Sequence, residues 1–273
     1  MTSSRRPDAG ISYDRRGSGS PIVLLHGIGS RWQVFEPILD ELARTHETVA
    51  IDLPGFGDSP SDPTVTSTVD GFATWLTDVF AGLGIEHPHV VGNSMGGGIA
   101  LELGRRGVAS QVTAFSPVGF WTPAERNWAR SAISSMRVVA GRLPAVAAFG
   151  TRSAAGRTAL FPLFFGKPWK LDPDSAQLAV DGLVGATMFT QAREGFDHYD
   201  LRGESRDPGA LKDIPVTIAW GTRDAILPPR KQSVVAREQY PFARHIALRG
   251  CGHLPFSDDP ALCAGVVLAT PGR

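Results

Sequence analysis

The chain has 273 residues and equal numbers of basic and acidic side chains, 27 Lys plus Arg and 27 Asp plus Glu. This length allows one large α/β domain, or a core domain that carries an inserted subdomain. A net charge of zero excludes the strong positive electrostatic field that attracts a protein to nucleic acid or to an anionic membrane. We therefore expect a small-molecule substrate as the partner, no nucleic acid and no membrane, while a homo-oligomer stays possible.

The first residues contain a twin arginine, Arg5 and Arg6, but no apolar segment follows it, so we expect a cytoplasmic protein. Arg142 and Pro144 interrupt the most apolar stretch, which argues against a transmembrane span. The two cysteines, Cys251 and Cys263, lack the spacing of a disulfide framework or a zinc site. Cys251 lies two residues before His253 and could be a redox or nucleophilic thiol, but it is interpreted as a buried packing residue. We expect no metal and no cofactor.

Short apolar runs rich in β-branched residues predict strands that are buried on both faces, as in a parallel sheet. They cover residues 21–25, 48–51, 89–91, 111–115, 216–220 and 245–248. Segments of helical periodicity lie between them, at 32–44, 69–83 and 97–105. This alternation predicts an α/β fold with a mostly parallel, doubly wound sheet.

The alternation stops between residues 118 and 206, where strand-like runs are missing. Thr122-Pro-Ala-Glu125 forms a capping box, and Asp172 followed by proline is a second helix start. We therefore predict core segments at 1–117 and 207–273, with a helical cap inserted at 118–206. Aromatic residues concentrate in the insertion, and we expect a few of them to line an apolar pocket. The aromatic residues of the insertion are Phe120, Trp121, Trp128, Phe161, Phe164, Phe165, Trp169, Phe189 and Phe196.

The sequence Gly92-Asn-Ser-Met-Gly96 follows a predicted strand and opens a predicted helix. This is the setting of a nucleophile elbow, in which the serine occupies a sharp turn and its neighbours must be tiny. Gly92 and Gly96 supply that space. Ser94 would then project from the carboxyl end of the sheet as a nucleophile.

A serine hydroxyl needs a base within hydrogen-bond reach, and a carboxylate must orient that base. Asp224 follows one predicted strand and His253 follows the next. Loops after parallel strands emerge at one edge of the sheet, so both residues can converge on Ser94. The predicted catalytic residues are therefore Ser94, Asp224 and His253.

Acyl transfer also requires two backbone N–H groups aimed at the oxyanion. Met95 should supply one and Ile28 the other, since Ile28 lies in the loop Leu25-His-Gly-Ile-Gly29. His26 and Gly27 support this loop in the prediction. A histidine at the start of such a loop more often bonds the backbone than acts as the general base.

Five blocks in this order resemble the α/β-hydrolase superfamily over nearly the whole chain. The resemblance implies a mostly parallel sheet, a helical cap after the sixth strand, and catalytic roles for Ser94, Asp224 and His253. The blocks are Val23-Leu-Leu-His-Gly27, Asp52-Leu-Pro-Gly-Phe-Gly-Asp58, Gly92-Asn-Ser-Met-Gly-Gly97, Gly221-Thr-Arg-Asp-Ala-Ile-Leu-Pro228 and Gly252-His-Leu-Pro255.

Other charged residues offer rival assignments. A polar cluster of Asp197, His198 and Asp200 could hold a displaced carboxylate, although a solvated hinge is the simpler interpretation. Asp52 and Asp58 are interpreted as loop residues that cap or bond the backbone. Arg193 and Arg223 could hold an anionic substrate, but surface or ion-paired arginines are more common.

Ser94 as nucleophile excludes the superfamily members that use an aspartate there to cleave carbon–halogen bonds or epoxides. We therefore expect a carboxylic ester hydrolase that works through an acyl-enzyme. A carbon–carbon bond hydrolase of the meta-cleavage type is the first alternative. Such enzymes usually carry an aromatic residue after the histidine, where this chain has Leu254. A ligand sensor with slow turnover is the more distant alternative.

Overall fold

The computed structural model describes residues 10–202 and 207–269, and within them the chain forms one seven-stranded sheet flanked by helices. Its strands are β1 (Tyr13–Gly17), β2 (Pro21–Leu25), β3 (Glu47–Ile51), β4 (His89–Asn93), β5 (Gln111–Phe115), β6 (Val216–Gly221) and β7 (Arg244–Leu248). Its α-helices are α1 (Glu36–Ala43), α2 (Val69–Leu83), α3 (Met95–Arg105), α4 (Pro123–Arg142), α5 (Pro144–Thr151), α6 (Ala154–Leu160), α7 (Pro173–Gly185), α8 (Phe189–Gly195), α9 (Pro229–Gln239) and α10 (Pro260–Leu268).

The strand order is β1-β3-β2-β4-β5-β6-β7, and only β1 runs antiparallel to its neighbour. This confirms the predicted α/β fold and its mostly parallel sheet. Strand β1 was not predicted, because its residues Tyr-Asp-Arg-Arg-Gly are mostly polar and lack a buried face. Backbone pairing with β3 holds this edge strand, and Arg16 reaches Asp14 on the same strand and Asp40 on α1.

Alternate residues of the central strands point into two different cores, one on each face of the sheet. Val23 and Leu25 pack on the side that includes α2 and α3, whereas Ile22 and Leu24 pack on the side of α1 and α10. A strand buried on both faces is apolar at every position. This is why these strands were predictable from short continuous apolar runs.

The segment between β5 and β6 contains α4 to α8 and no strand among its described residues. Its helices begin as predicted, since Thr122 and Glu125 form a reciprocal capping box and Asp172 accepts hydrogen bonds from the next turn. The segment follows the fifth strand of this chain, whereas the resemblance implied the sixth. The division at 118 and 206 stays a prediction. Residue 206, like Arg5 and Arg6, lies outside the described residues.

Apolar stretches in this segment raise the question of membrane spans. No single helix of the described residues is both long and apolar enough to cross a bilayer. Among the helices that the structure describes, one pair, α4 and α5, passes that test when taken together, and the two helices are bent by 100° at the break between them.

Helix α3 packs against the backbone of the sheet at unusually short range. A Cβ atom on Gly92 would collide with the carbonyl group of Gly96, and one on Gly96 would collide with the carbonyl groups of Leu25 and His26. Only glycine permits such an approach. The turn between β4 and α3 is therefore tight for a steric reason.

Replacing Gly92 by alanine should destabilise the fold, because the added methyl group must push α3 away from β4. We expect a loss of about 1–3 kcal/mol in the free energy of unfolding, as for other overpacked cores. Gly265→Ala is the matched control. Gly265 lies inside α10, and a Cβ atom added there would have no neighbour within 4 Å, so helix propensity should make this variant neutral or more stable. Thermal denaturation of both variants would test the point, and equal stability of Gly92→Ala and the wild type would contradict it.

Candidate active site

Ser94 occupies the turn between β4 and α3 with φ 57° and ψ −116°. A positive φ is rare for a residue with a side chain and marks a strained backbone. Hydrogen bonds hold this conformation, because the Ser94 N–H donates to the Phe115 carbonyl at 2.9 Å and the Ser94 carbonyl accepts from Gly98 at 3.0 Å. The serine therefore sits at a rigid, sharp turn, as the glycine pattern predicted.

His253 and Asp224 lie on the loops after β7 and β6, and the structure brings their side chains together. The His253 Nδ1 atom is 2.8 Å from Asp224 Oδ2. The other oxygen, Oδ1, accepts from the backbone N–H groups of Ile226 and Leu227 at 2.9 and 2.8 Å. A carboxylate oxygen accepts hydrogen bonds, so this contact favours the imidazole tautomer that has its proton on Nδ1 and its lone pair on Nε2.

Ser94 and His253 line one cavity of about 420 Å³. The cavity wall is mainly apolar and lies between the sheet edge and the helical segment. Three of the aromatic residues expected there, Phe161, Phe164 and Phe165, line it. The other aromatic residues named in the sequence analysis are not part of this wall. Both Ser94 and His253 are almost completely buried, so a substrate would have to reach them through the cavity.

The backbone N–H groups of Ile28 and Met95 donate no hydrogen bond to another group in the described part of the chain. Met95 directly follows Ser94, and the loop of Ile28 runs against the serine. A Cβ on Gly27 would lie 3.0 Å from the Ser94 Cβ atom. Two unoccupied donors beside a nucleophile are what an oxyanion hole requires.

His26 is fully buried and uses both ring nitrogens on the backbone. Nδ1 is 2.7 Å from the Gly27 carbonyl oxygen, and Nε2 accepts from the Leu53 N–H at 3.1 Å. This pattern requires a neutral ring with the proton on Nδ1. Burial lowers the pKa of His26 below its usual value. His26 therefore ties the loop of Ile28 to the loop that follows β3, in line with the supporting role expected for it.

The sequence model of the alpha/beta hydrolase family matches residues 22–266. The chain belongs to the alpha/beta hydrolase family. It is 28% identical to the pimeloyl-(acyl-carrier protein) methyl ester esterase of Aeromonas hydrophila, over 92% of this chain and 94% of that protein. A shorter match, 36% identical over one third of each chain, links it to the 2-hydroxymuconate semialdehyde hydrolase of a Pseudomonas species.

Among solved structures, a thermophilic esterase from Thermogutta terrifontis superimposes with a TM-score of 0.70. The two share 20% identity, over 94% of this chain and 91% of that one, so this likeness is one of fold. Together the relatives support an esterase-like alpha/beta hydrolase.

The rival charged residues of this hydrolase lie away from the cavity wall. Asp197 pairs with Arg126 and Arg130 on α4, and Asp200 pairs with Arg202. Arg223 donates to the Gly166 carbonyl oxygen at 3.0 Å. These contacts link parts of the fold, and neither the rival residues nor their partners line the cavity.

The two loop acids, Asp52 and Asp58, differ in role. Asp52 is buried and accepts from the N–H groups of Trp32 and Asp58, at 2.7 and 3.0 Å. Asp58 pairs with Arg31 on the protein surface. Asp52 therefore bonds the backbone, as the turn sequence suggested, and holds the loop of Ile28 in place.

Both cysteines are buried without a disulfide. Burial raises the pKa of Cys251 to about 11, and it raises that of Cys263 further. A thiol of high pKa is a poor nucleophile at neutral pH. Cys251 thus lies near His253 in sequence without a feature that would make it reactive.

Asp258 is a residue that the sequence analysis missed. Its buried carboxylate accepts from the N–H groups of Gly166, Lys167 and Gly252, at 2.7–2.8 Å. Gly252 directly precedes His253, whereas Gly166 and Lys167 belong to the helical segment. One side chain thus fastens the loop of the proposed base to the cavity wall. The only sequence signal was an acid shortly after the histidine.

Asp258→Ala should release both segments at once, because three buried N–H groups lose their acceptor. We expect a stability loss of about 3 kcal/mol and faster hydrogen exchange at the amides of Gly166, Lys167 and Gly252. Asp259→Ala is the matched control, since Asp259 caps α10 through the Leu262 N–H. It should alter exchange only at the start of α10. Unchanged protection at Gly166 and Gly252 in Asp258→Ala would contradict this assignment.

The buried neutral state of His26 predicts a pH dependence. Unfolded histidine binds a proton near pH 6.5, whereas folded His26 resists protonation because its pKa is lowered. The unfolded state then binds more protons, so stability falls as the pH drops below about 6.5. Nitrogen-15 NMR of the ring should still show the neutral Nδ1–H tautomer at about pH 6.5, where an unperturbed histidine is half protonated. Titration of His26 near 6.5 would refute the assignment.

Proposed function

We propose that the chain is a serine hydrolase that cleaves carboxylic esters of small, largely apolar substrates through an acyl-enzyme. One observation carries the proposal. Ser94 at its strained turn, His253 and Ile28 line an apolar cavity, Asp224 contacts His253, and the backbone N–H groups of Ile28 and Met95 have no acceptor in the described part of the chain. The esterase among the chain's relatives supports the same reaction class.

We infer one step of this reaction for each group. Ser94 Oγ attacks the ester carbonyl carbon while His253 Nε2 takes its proton, and the N–H groups of Ile28 and Met95 stabilise the resulting oxyanion. The intermediate collapses when the alcohol leaves with the proton from His253. A water molecule, deprotonated by His253, then attacks the acyl-enzyme, and His253 returns that proton to Ser94 Oγ as the bond to the acyl group breaks and the acid leaves. Asp224 keeps the imidazole in the required tautomer throughout.

The cavity wall supports apolar substrates. Beyond the catalytic end, most of its side chains come from the helical segment and are aliphatic or aromatic. Arg31 also lines the cavity, but its guanidinium group already contacts Asp58 and Gln33. A substrate would therefore gain most of its binding energy from buried apolar surface.

The carbon–carbon hydrolase alternative rests on the local match to a 2-hydroxymuconate semialdehyde hydrolase. That reaction needs polar groups to hold a carboxylate and a delocalised anion, and Asn93 and Arg193 were the candidates. The Asn93 amide instead donates to the carbonyl oxygens of Phe115 and His253. Arg193 contacts Ser134 and Glu194 and is not part of the cavity wall. These contacts favour ester hydrolysis.

Asp224→Asn should lower kcat by about 10³- to 10⁴-fold, because the imidazole loses its tautomer control and the charge that stabilises it when protonated. Asp200→Asn is the matched control, since Asp200 pairs only with Arg202 among the contacts described. It should leave kcat within a factor of about two. Steady-state kinetics would compare kcat of the two variants. A larger loss of kcat in Asp200→Asn than in Asp224→Asn would assign the carboxylate that orients the histidine to Asp200.

p-Nitrophenyl esters of short to medium acids should be hydrolysed far faster than vinylogous 1,5-diketone ring-fission products. Ester hydrolysis needs only the groups assigned above, whereas carbon–carbon cleavage needs further polar groups in the cavity. kcat/KM for both substrates would decide, with Ser94→Ala as the background. A ratio in favour of the diketone would support the first alternative, and a single turnover without further product would support the ligand sensor.

A further inference from the structure

The bend between α4 and α5 exposes a group of large apolar side chains. This group, the α4–α5 corner, consists of Val138, Val139, Leu143, Val146 and Phe149. Phe149 is 76% exposed, the largest value for a large apolar side chain in the described part of the chain. Soluble domains rarely expose such a cluster unless it contacts something.

The stretch of sequence that contains the corner carries charge of one sign, whereas α7, which packs against α4 and α5, carries the exposed Asp174 and Asp181. Residues 126–171 contain eight arginines and lysines and no aspartate or glutamate. Arg142 lies between Val139 and Leu143 in the sequence, and Arg152 follows Phe149. Both are exposed and form no ion pair within residues 10–202 and 207–269. The neutral total hides this local excess, because the rest of the chain carries the compensating acids.

The corner is continuous with the cavity of the proposed active site. Val139, Leu143 and Val146 are exposed to solvent and also line the cavity that contains Ser94. Whatever covers the corner therefore lies at the rim of the substrate opening.

We propose that the α4–α5 corner docks on an anionic lipid surface, with Phe149 and its apolar neighbours among the acyl chains and Arg142 and Arg152 at the headgroups. Exposed apolar residues flanked by cations are the pattern of interfacial membrane binding. A two-fold copy of the chain fits less well, because it would bring like-charged arginines together. This inference goes beyond the proposed function and differs from the expectation of no membrane partner, so the experiment below tests both.

Co-sedimentation of the full chain with vesicles tests the proposal. Vesicles of phosphatidylcholine with about 30% phosphatidylglycerol should bind at least about tenfold more tightly than pure phosphatidylcholine, and added salt should weaken the difference. Phe149→Ser, and the double variant Arg142→Gln with Arg152→Gln, should each weaken binding about tenfold. Val234→Ser, and Arg237→Gln with Arg249→Gln, are matched controls on other exposed positions and should bind like the wild type.

Three results would overturn the proposal. The first is equal binding to both kinds of vesicle, or unchanged binding in the corner variants. The second is a concentration-dependent dimer that Phe149→Ser abolishes, without vesicle binding, which would assign the corner to a second copy. The third is binding to polyglutamate but not to vesicles, lost only in the arginine variant, which would indicate an acidic protein partner. Circular dichroism of each variant would show that it is folded, so that loss of binding reports on the surface.

Discussion

Helix α3 lies directly against the backbone of the sheet, since no side chain stands between Gly92, Gly96 and the carbonyl groups around Leu25. That approach forces the chain to reverse within one residue, and Ser94 takes the positive φ that the reversal requires. The same turn leaves the Met95 N–H without an acceptor and brings the loop of Ile28 beside the serine. The nucleophile position and both proposed oxyanion donors thus depend on one steric condition.

The other half of the site depends on buried polar contacts. Asp224 satisfies both of its oxygens with His253 and two backbone N–H groups, and Asp258 fastens the His253 loop to the helical segment. A buried carboxylate with several N–H donors keeps its geometry, because breaking any one contact leaves a costly unpaired group. The hydrogen bonds of Asp258 therefore connect the helical segment, which forms much of the cavity wall, to the loop of the proposed base, His253.

Much of this fold was predictable because its signals are local. Buried parallel strands leave continuous apolar runs, and the turn at Ser94 needs glycines at two fixed positions. Features that depend on contacts between distant parts of the chain leave no local sequence signal, so they were not predictable. Strand β1 is polar and is held by its pairing with β3. Asp258 acts on residues about ninety positions away. The net charge of zero gives no sign of the local excess of basic residues near the α4–α5 corner. The exposure of its apolar side chains is visible only in the folded chain.

The assignment of Ser94 as the nucleophile is the central claim, and covalent labelling tests it most directly. A fluorophosphonate probe reacts quickly only with a serine that is activated by a base beside an oxyanion hole. Intact-mass analysis should show one adduct on the wild type, located at Ser94 by peptide mapping, and none on Ser94→Ala. A wild type that stays unlabelled, or an adduct that persists in Ser94→Ala, would contradict the account.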